Sequence, residues 1–332
     1  MNATGYPPRG HFEWRTLVGA WDADPMSGSH FERWWDLHVD GSYPLCTMRD
    51  ADGIVYSCVR RIANGGDSIG FVLQTNVDGR DLRIHPRSAE GYSGPVVQKF
   101  GNGAHRLSGG GQPPAARAFA LELDRSTVRW QEAGLLDVEG RIIGPGLQWY
   151  TPWPKQGGAF YATRMYRARG TILGKPVEGF MGFDQYCFPP GFAYANDPFV
   201  QDIELSYVVF GNEYDDGTIE VGQMFFGHGR WAAAMVNNEQ GPIILTTTLH
   251  SEITARDERG YAARIRYRVE GEDWEFIADP TARMPDFGEG VAKNPGQEGR
   301  FQRVGDRRGL VAWWAWTETV PSHGELRRAL TF

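Results

Sequence analysis

The chain has 332 residues and a mass of 37.2 kDa, enough for one large domain or two of moderate size. Its 43 glycines and 20 prolines mark a turn-rich fold, and twelve tryptophans with eighteen phenylalanines exclude a disordered chain. Forty-one acidic against 34 basic residues leave a formal charge of −7, which argues against a nucleic-acid binder.

The stretch Met1–Trp14 carries prolines and glycines but no apolar segment, so no signal peptide is expected. No apolar run reaches the roughly eighteen residues a membrane span needs, and a cytoplasmic location is the expectation. Cys46, Cys58 and Cys187 are odd in number and widely spaced, fitting neither a disulfide framework nor a zinc site.

Period-two alternation dominates. Phe31–Gly41 reads as a strand in which Trp34 and Trp35 point to opposite faces. Either both anchor a core or Trp35 lines a cavity. Turn signals follow at Asp52-Gly53, Asn64-Gly65-Gly66 and Asp78-Gly79, and Gly101–Pro114 reads as a loop. Ala118–Leu123 puts Phe119, Leu121 and Leu123 on one side. Gly146–Trp153, followed by Gly158–Tyr161, gathers Trp149, Tyr150 and Tyr161, either as the wall of a pocket or as packing between sheets.

Arg167–Leu173, a Gly174-Lys175 turn and Pro176–Asp184 predict a hairpin. In a regular strand Asp184 shares its face with Glu178, Phe180 and Gly182. Desolvation there raises a carboxyl pKa and makes a general acid. The alternative is a strand-end carboxylate bonding nearby backbone amides. A seam between two all-β halves is placed near residues 185–197, around Cys187-Phe188-Pro189-Pro190-Gly191.

In the second half, Phe226, His228 and Arg230 share a strand face, His228 being either structural or functional. Arg264–Glu270, the Gly271-Glu272-Asp273 turn and Trp274–Ile277 predict another hairpin, with Ile265, Tyr267 and Val269 inward. Phe287–Gly299 reads as a loop. Trp314, Trp316 and Glu318 share a face, so that Glu318 is either an acid on an aromatic wall or an exposed strand-end carboxylate. Ser322–Leu330, capped by Ser322 with Glu325 following, is the one helix expected. Regular short strands filling a chain too long for one eight-stranded barrel predict an all-β fold of two barrels or sandwiches.

There is no Gly-x-x-x-x-Gly-Lys-Ser/Thr loop, no Gly-x-Ser-x-Gly elbow and no His-Glu-x-x-His, and the eight histidines show no ligand spacing. What is left is chemistry by shape and by one or two tuned side chains.

Phe31–Gly41 resembles the Glu-Trp-Trp-Tyr-Phe-Asp segment of the hydroxyneurosporene synthase (carotenoid hydratase) and AttH-like family. Gln148-Trp149-Tyr150, Tyr161 and the run Gly170–Gly179 through Asp184 resemble that family's central hairpin. The family hairpin ends in Asp-His-x-Trp-Gly; here it ends Asp184-Gln185-Tyr186-Cys187, so the aspartate matches and the histidine does not. Gly309–Glu318 resembles the closing strand, and the similarity runs from about residue 30 to 320. It implies two lipocalin-like (calycin) antiparallel β-barrels or sandwiches in tandem, with a ligand cavity near their junction. Relatives include hydratases of isoprenoid or prenylated substrates, pericyclases of polyketide pathways and lipid binders.

The expectation is therefore an N-terminal lipocalin-like domain over residues 1–188 and a C-terminal one over 189–332. Its leading activity is a cofactor-independent hydratase, lyase, cyclase or isomerase acting on an isoprenoid-, polyketide- or aromatic-type alkene. Asp184 donates or relays a proton, and Glu318 or His228 positions water or balances positive charge. Trp35, Trp149, Tyr150, Tyr161, Phe180, Tyr186, Trp314 and Trp316 bind the substrate. No cofactor, metal, nucleic acid or membrane span is expected, and a homodimer is left open. The alternative is a lipocalin-type carrier of a hydrophobic ligand. A carbohydrate-active enzyme would need two carboxylates flanking one bond. Glu178 and Asp184 are roughly 20 Å apart along their strand, too far for that.

Overall fold

The computed structural model describes residues 16–21, 33–34, 37–63, 67–77, 79, 81–90, 94–101, 103–110, 117–151, 158–190, 206–227, 232–287 and 296–319. The first of two antiparallel sheets takes Leu17–Trp21 (β1), Arg33–Trp34 (β2), Leu37–Arg49 (β3), Val55–Ala63 (β4), Asp67–Thr75 (β5), Arg83–Ile84 (β6), Gly94–Pro95 (β7), Val97–Gly101 (β8), Ala104–Gly109 (β9), Phe119–Leu123 (β10), Thr127–Glu132 (β11), Leu136–Ile142 (β12), Gly146–Thr151 (β13), Ala159–Ile172 (β14) and Lys175–Phe188 (β15). The second takes Ser206–Tyr214 (β16), Ile219–Phe226 (β17), Ala232–Asn238 (β18), Gly241–Thr246 (β19), Leu249–Arg256 (β20), Ala262–Val269 (β21), Glu272–Met284 (β22), Gly296–Arg303 (β23) and Leu310–Thr319 (β24).

The first sheet runs β6-β5-β4-β3-β15-β14-β12-β11-β10-β9-β8, with β1 and β13 joining through β14. It forms a half-barrel. The second runs β19-β18-β17-β16-β24-β23-β22-β21-β20 and curls until β20 lies against β17 and β18, a nearly closed barrel. Helix is confined, among the described residues, to single turns at Pro86–Glu90 and Pro285–Phe287.

Hairpin chemistry sets the register. Leu173 and Gly174 lie between β14 and β15 with φ of 54° and 76°, and Glu270 and Gly271 lie between β21 and β22 with φ of 50° and 94°. Two successive left-handed residues make the turn whose twist matches paired strands, and glycine takes the second position without strain. Both turns fall one residue earlier than the Gly174-Lys175 and Gly271-Glu272-Asp273 signals predict.

The long strands at the centre bury both faces. On β14 and β15, Tyr166, Ala168, Met181 and Phe183 enter the core of the half-barrel with Leu121, Leu123, Trp130 and Val138. The alternate residues, Met165 and Phe180 among them, turn toward the second sheet and pack with Val209, Val221, Trp314 and Trp316. On β16 and β24, Val208, Phe210 and Ala315 fill the second barrel with Trp274, Phe276 and Phe301. The junction of the two sheets is thus a core of its own, each large side chain there contributing about 1.5–3 kcal/mol by leaving water. Phe180 lies so close over Gly211 that a Cβ there would meet its ring at 2.5 Å.

A polar clamp ties the sheets at one edge. Asp81 accepts from Arg283 at 2.8 Å and Arg259 at 2.8 Å, and Asn76 reaches Thr281. These arginines hold the Asp81 carboxyl below its ordinary range, outweighing the opposing effect of burial.

Two segments read as loops contain strand. Gly101–Pro114 holds β9, whose Leu107 and His105 are buried, and Phe287–Gly299 holds the start of β23. Glycine and polar residues obscured their alternation, while pairing with β10 and β24 fixed them. The expected helix Ser322–Leu330 lies outside the described residues. Strand β15 extends through Phe188, and the second sheet begins at Ser206.

Candidate active site at the junction of the two sheets

Asp184 stands in β15 between Thr163 of β14 and Tyr43 of β3, directly opposite each in the register. Its side chain points to the junction and is buried. The Thr163 hydroxyl donates to Asp184 Oδ1 at 2.6 Å, and the Tyr161 hydroxyl supplies a second bond. Burial pushes the Asp184 carboxyl up to about 6, and the two hydroxyl donors, which favour the ionised form, limit the rise. The partners are side chains, which sets aside the strand-end alternative of backbone amides.

Gln223, on β17 of the other sheet, donates through Nε2 to the Tyr161 oxygen at 2.6 Å. A chain of donors therefore runs from Gln223 to Tyr161 to Asp184 across the junction. Burial holds the Tyr161 hydroxyl well above its ordinary pKa, with Asp184 and Tyr207 adding to the rise, so it stays a donor. The Tyr161 ring stacks on Trp149 at 5.5 Å and meets the Tyr186 ring at 5.0 Å, and Trp149 meets Phe225 of the other sheet at 5.3 Å. Such aromatic packing fixes ring positions and leaves a polar tip where the carboxyl lies.

Glu318 is buried, not an exposed strand-end carboxylate. It faces Tyr207 across β16 and β24, and Tyr207 is in electrostatic reach of Tyr161. Trp314 and Trp316 lie on the same face of β24 and pack in the junction core with Phe180. The structure thus gathers Asp184, Trp149, Tyr161, Phe180, Tyr186, Trp314, Trp316 and Glu318 along one junction. Tyr150 lies on the opposite face of β13, beside the cluster of Phe160 and Val39. Trp35 and His228 lie outside the described residues.

Thr163, Gln223, Tyr43 and Tyr207 also stand here, though no motif in the sequence marks them. Thr163 was findable, since the hairpin register places it opposite Asp184 once the turn is set at Leu173-Gly174. Gln223 and Tyr207 carry no such signal, because only the docking of the second sheet brings them near. Glu298 is unmarked too. It is fully buried on β23, opposite Trp316, and accepts from the Thr47 hydroxyl of the first sheet at 2.5 Å. Burial pushes it up to about 7, against the bonds from Thr47 and Ser57 and the nearby Arg49 charge.

A groove of about 920 Å³ opens at the far end of the junction, between Arg49, Glu178 and Trp313. Glu178 is six positions from Asp184, so the groove floor lies roughly 20 Å along β15 from the buried carboxyl. Among the described residues no three His, Cys, Asp or Glu side chains converge as a metal site would require. Cys46 and Cys58 face each other across β3 and β4 as free, buried thiols. No described helix is long and apolar enough to cross a membrane.

The fold has solved counterparts. An AttH-like protein from Nitrosomonas europaea superposes with a TM-score of 0.51 at 14% identity, over 90% of this chain and 99% of its own. CghA, crystallised with Sch210972, superposes with a TM-score of 0.51 at 12% identity, over 92% of this chain and 97% of its own. Kievitone hydratase from Nectria haematococca reaches a TM-score of 0.42 at 11% identity, over 93% of this chain and 97% of its own, too loose a match to argue from. No protein-family model matches the sequence, and no curated protein matches it at a significant level. At these identities the likeness is one of fold.

Proposed function

We propose that this chain is a cofactor-independent enzyme that moves a proton to or from an alkene in a hydrophobic small molecule, as a hydratase, lyase, cyclase or isomerase. Residues 1–188 and 189–332 are its two lipocalin-like units, and the substrate lies where they meet. The observation that carries this reading is Asp184, a buried carboxyl at an aromatic-lined junction with two hydroxyl donors aimed at it. That CghA, of the same fold, was crystallised with Sch210972 supports a small organic ligand for this architecture.

The chemistry follows from the proton balance. With Asp184 near 6, about a tenth of it is protonated at neutrality, a cost of about 1.4 kcal/mol. A positioned general acid contributes about 10²–10⁴-fold, so the gain exceeds that cost. In hydration the carboxyl proton goes to one alkene carbon, a water oxygen bonds to the other, and that water's proton returns to Asp184. Elimination is the reverse. Trp149, Tyr186, Trp314 and Trp316 offer π faces to developing positive charge, each about 0.5–2 kcal/mol. Glu318 balances that charge from the other sheet.

The test is incubation of the purified chain with a panel of prenylated, polyketide and aryl alkenes in deuterated water. Deuterium incorporation by the wild type and its loss in Asp184→Asn, with melting temperatures within a few degrees, support the reading. Full activity in that variant removes Asp184 from the mechanism. A lipid retained through purification, with no conversion of any alkene, favours the carrier.

A further inference from the structure

Glu298 is a fully buried carboxyl that the chemistry at Asp184 does not use. Thr47, its partner, lies opposite Phe180, four positions from Asp184 along β15. That is roughly 13 Å, so the two carboxyls do not serve one bond. The groups facing Glu298 are Thr47 and Arg49 of β3, Ser57 of β4 and Asp279 of β22. Trp316 of β24 stands opposite it, with Glu318 the diagonal neighbour at about 7–8 Å.

Its two oxygens are in different states. Oε1 accepts from Thr47, whereas Oε2 is buried without a hydrogen-bond partner. Arg49 mirrors this from the other sheet. Its Nη1 donates to the Trp313 carbonyl and its guanidinium lies 4.5 Å over the Trp313 ring, whereas its Nη2 is buried without a partner. Two orphaned polar atoms of opposite character, one from each sheet, thus sit in electrostatic reach of each other without a bond. Leaving either buried and unmatched is costly, and ionisation of the carboxyl makes the cost larger.

We propose that Glu298 and Arg49 form a proton-controlled latch between the two sheets. With Glu298 protonated, burial favours the neutral carboxyl, Oε1 keeps its bond from Thr47 and Arg49 stays on Trp313. When the proton leaves to solvent, the guanidinium turns from the Trp313 carbonyl to Glu298 Oε2 and the orphaned atoms satisfy each other. Burial places Glu298 at about 7, so the exchange falls near neutrality, with Asp279 favouring the protonated state and Arg49 the ionised one. Because Arg49 and Trp313 both line the surface groove, the latch reshapes the groove floor as it switches.

A double-mutant cycle in the full chain tests this, pairing Arg49→Met with Glu298→Gln in chemical denaturation at about pH 5 and about pH 8. At the higher pH, Arg49→Met should lower the folded-to-unfolded ratio at least about tenfold more in the wild type than in Glu298→Gln, and at the lower pH about equally in both. Equal coupling at both pH values, or none at either, overturns the latch. If Arg49→Met does not fold, fluorine-labelled tryptophan in the wild type carries the test. The resonance missing from Trp313→Phe should shift with a midpoint near neutrality and stop shifting in Glu298→Gln. A Trp313 resonance indifferent to pH over the same range overturns the proposal.

Discussion

Thr163 and Asp184 face each other across β14 and β15, and the Thr163 hydroxyl donates to Asp184 at 2.6 Å. That donor favours the charged carboxylate, so Thr163→Val should raise the Asp184 pKa further. A general acid then stays protonated to higher pH. The pH-rate profile of the wild-type reaction should shift to higher pH in the variant by about one unit, which a stopped or continuous assay at several pH values reads out. An unmoved profile would separate Thr163 from the proton step.

Tyr161→Phe should act differently. It removes the second donor to Asp184 and leaves the buried Gln223 amide without its acceptor. A buried donor stripped of its partner costs about 1–3 kcal/mol. Thermal unfolding should therefore show a clear loss of stability, and Tyr161→Phe with Gln223→Met should recover part of it. A double variant no better than the single one would contradict the bond across the junction.

The pH dependence of stability has a definite sign at Asp184. Its folded value, about 6, lies above the ordinary 3.8, so its contribution is complete below about 4 and is lost as pH rises through 6. The loss is about 3 kcal/mol. His105 works in the opposite sense: burial lowers it to about 4, so its contribution is present above about 6.5 and fades toward 4. The bare profile therefore mixes the two. The difference between Asp184→Asn and wild type isolates the carboxyl, and the variant should gain relative stability as pH rises from about 4 to 7. Denaturant titrations at several pH values check the slope.

Gly211→Ala should destabilise by about 1–3 kcal/mol, because the new methyl meets the Phe180 ring at 2.5 Å. Gly211→Ala combined with Phe180→Leu should be better tolerated than the sum of the two changes, since the clash needs both partners. Calorimetry on the three variants measures this.

Inside the half-barrel, Arg60 and Glu132 are fully buried and paired through two bonds of 2.6 Å, with the Trp130 indole donating to the carboxylate at 3.0 Å. Removing one partner strands a buried charge, so Arg60→Met should cost about 3–5 kcal/mol. Replacing both by apolar residues should restore much of that, as chemical denaturation would show.

Much of the architecture was legible in the chain. The alternation in Arg264–Val269 reports a strand with one dry face, and Ile265, Tyr267 and Val269 are indeed buried. The Gly174 and Gly271 turns announce hairpins because their glycines accept left-handed backbone freely. Strand β23 was not legible, since Gly296-Gln297-Glu298-Gly299 lacks the β-branched and aromatic residues that mark strands; its pairing with β22 and β24 holds it.

The period-two pattern, the hairpins and the placing of Asp184 on one face with Phe180 and Gly182 follow from the residues alone, because side-chain direction in a strand depends only on parity. Which face was which follows from how the two sheets pack. On β15 both faces are buried, one inside the half-barrel and one against the second sheet, and parity cannot tell them apart. The partners of the buried carboxyls, Gln223 behind Tyr161 and Thr47 on Glu298, come from sheets far apart in the chain. Their meeting depends on how two curved surfaces dock, a long-range packing that no local pattern encodes.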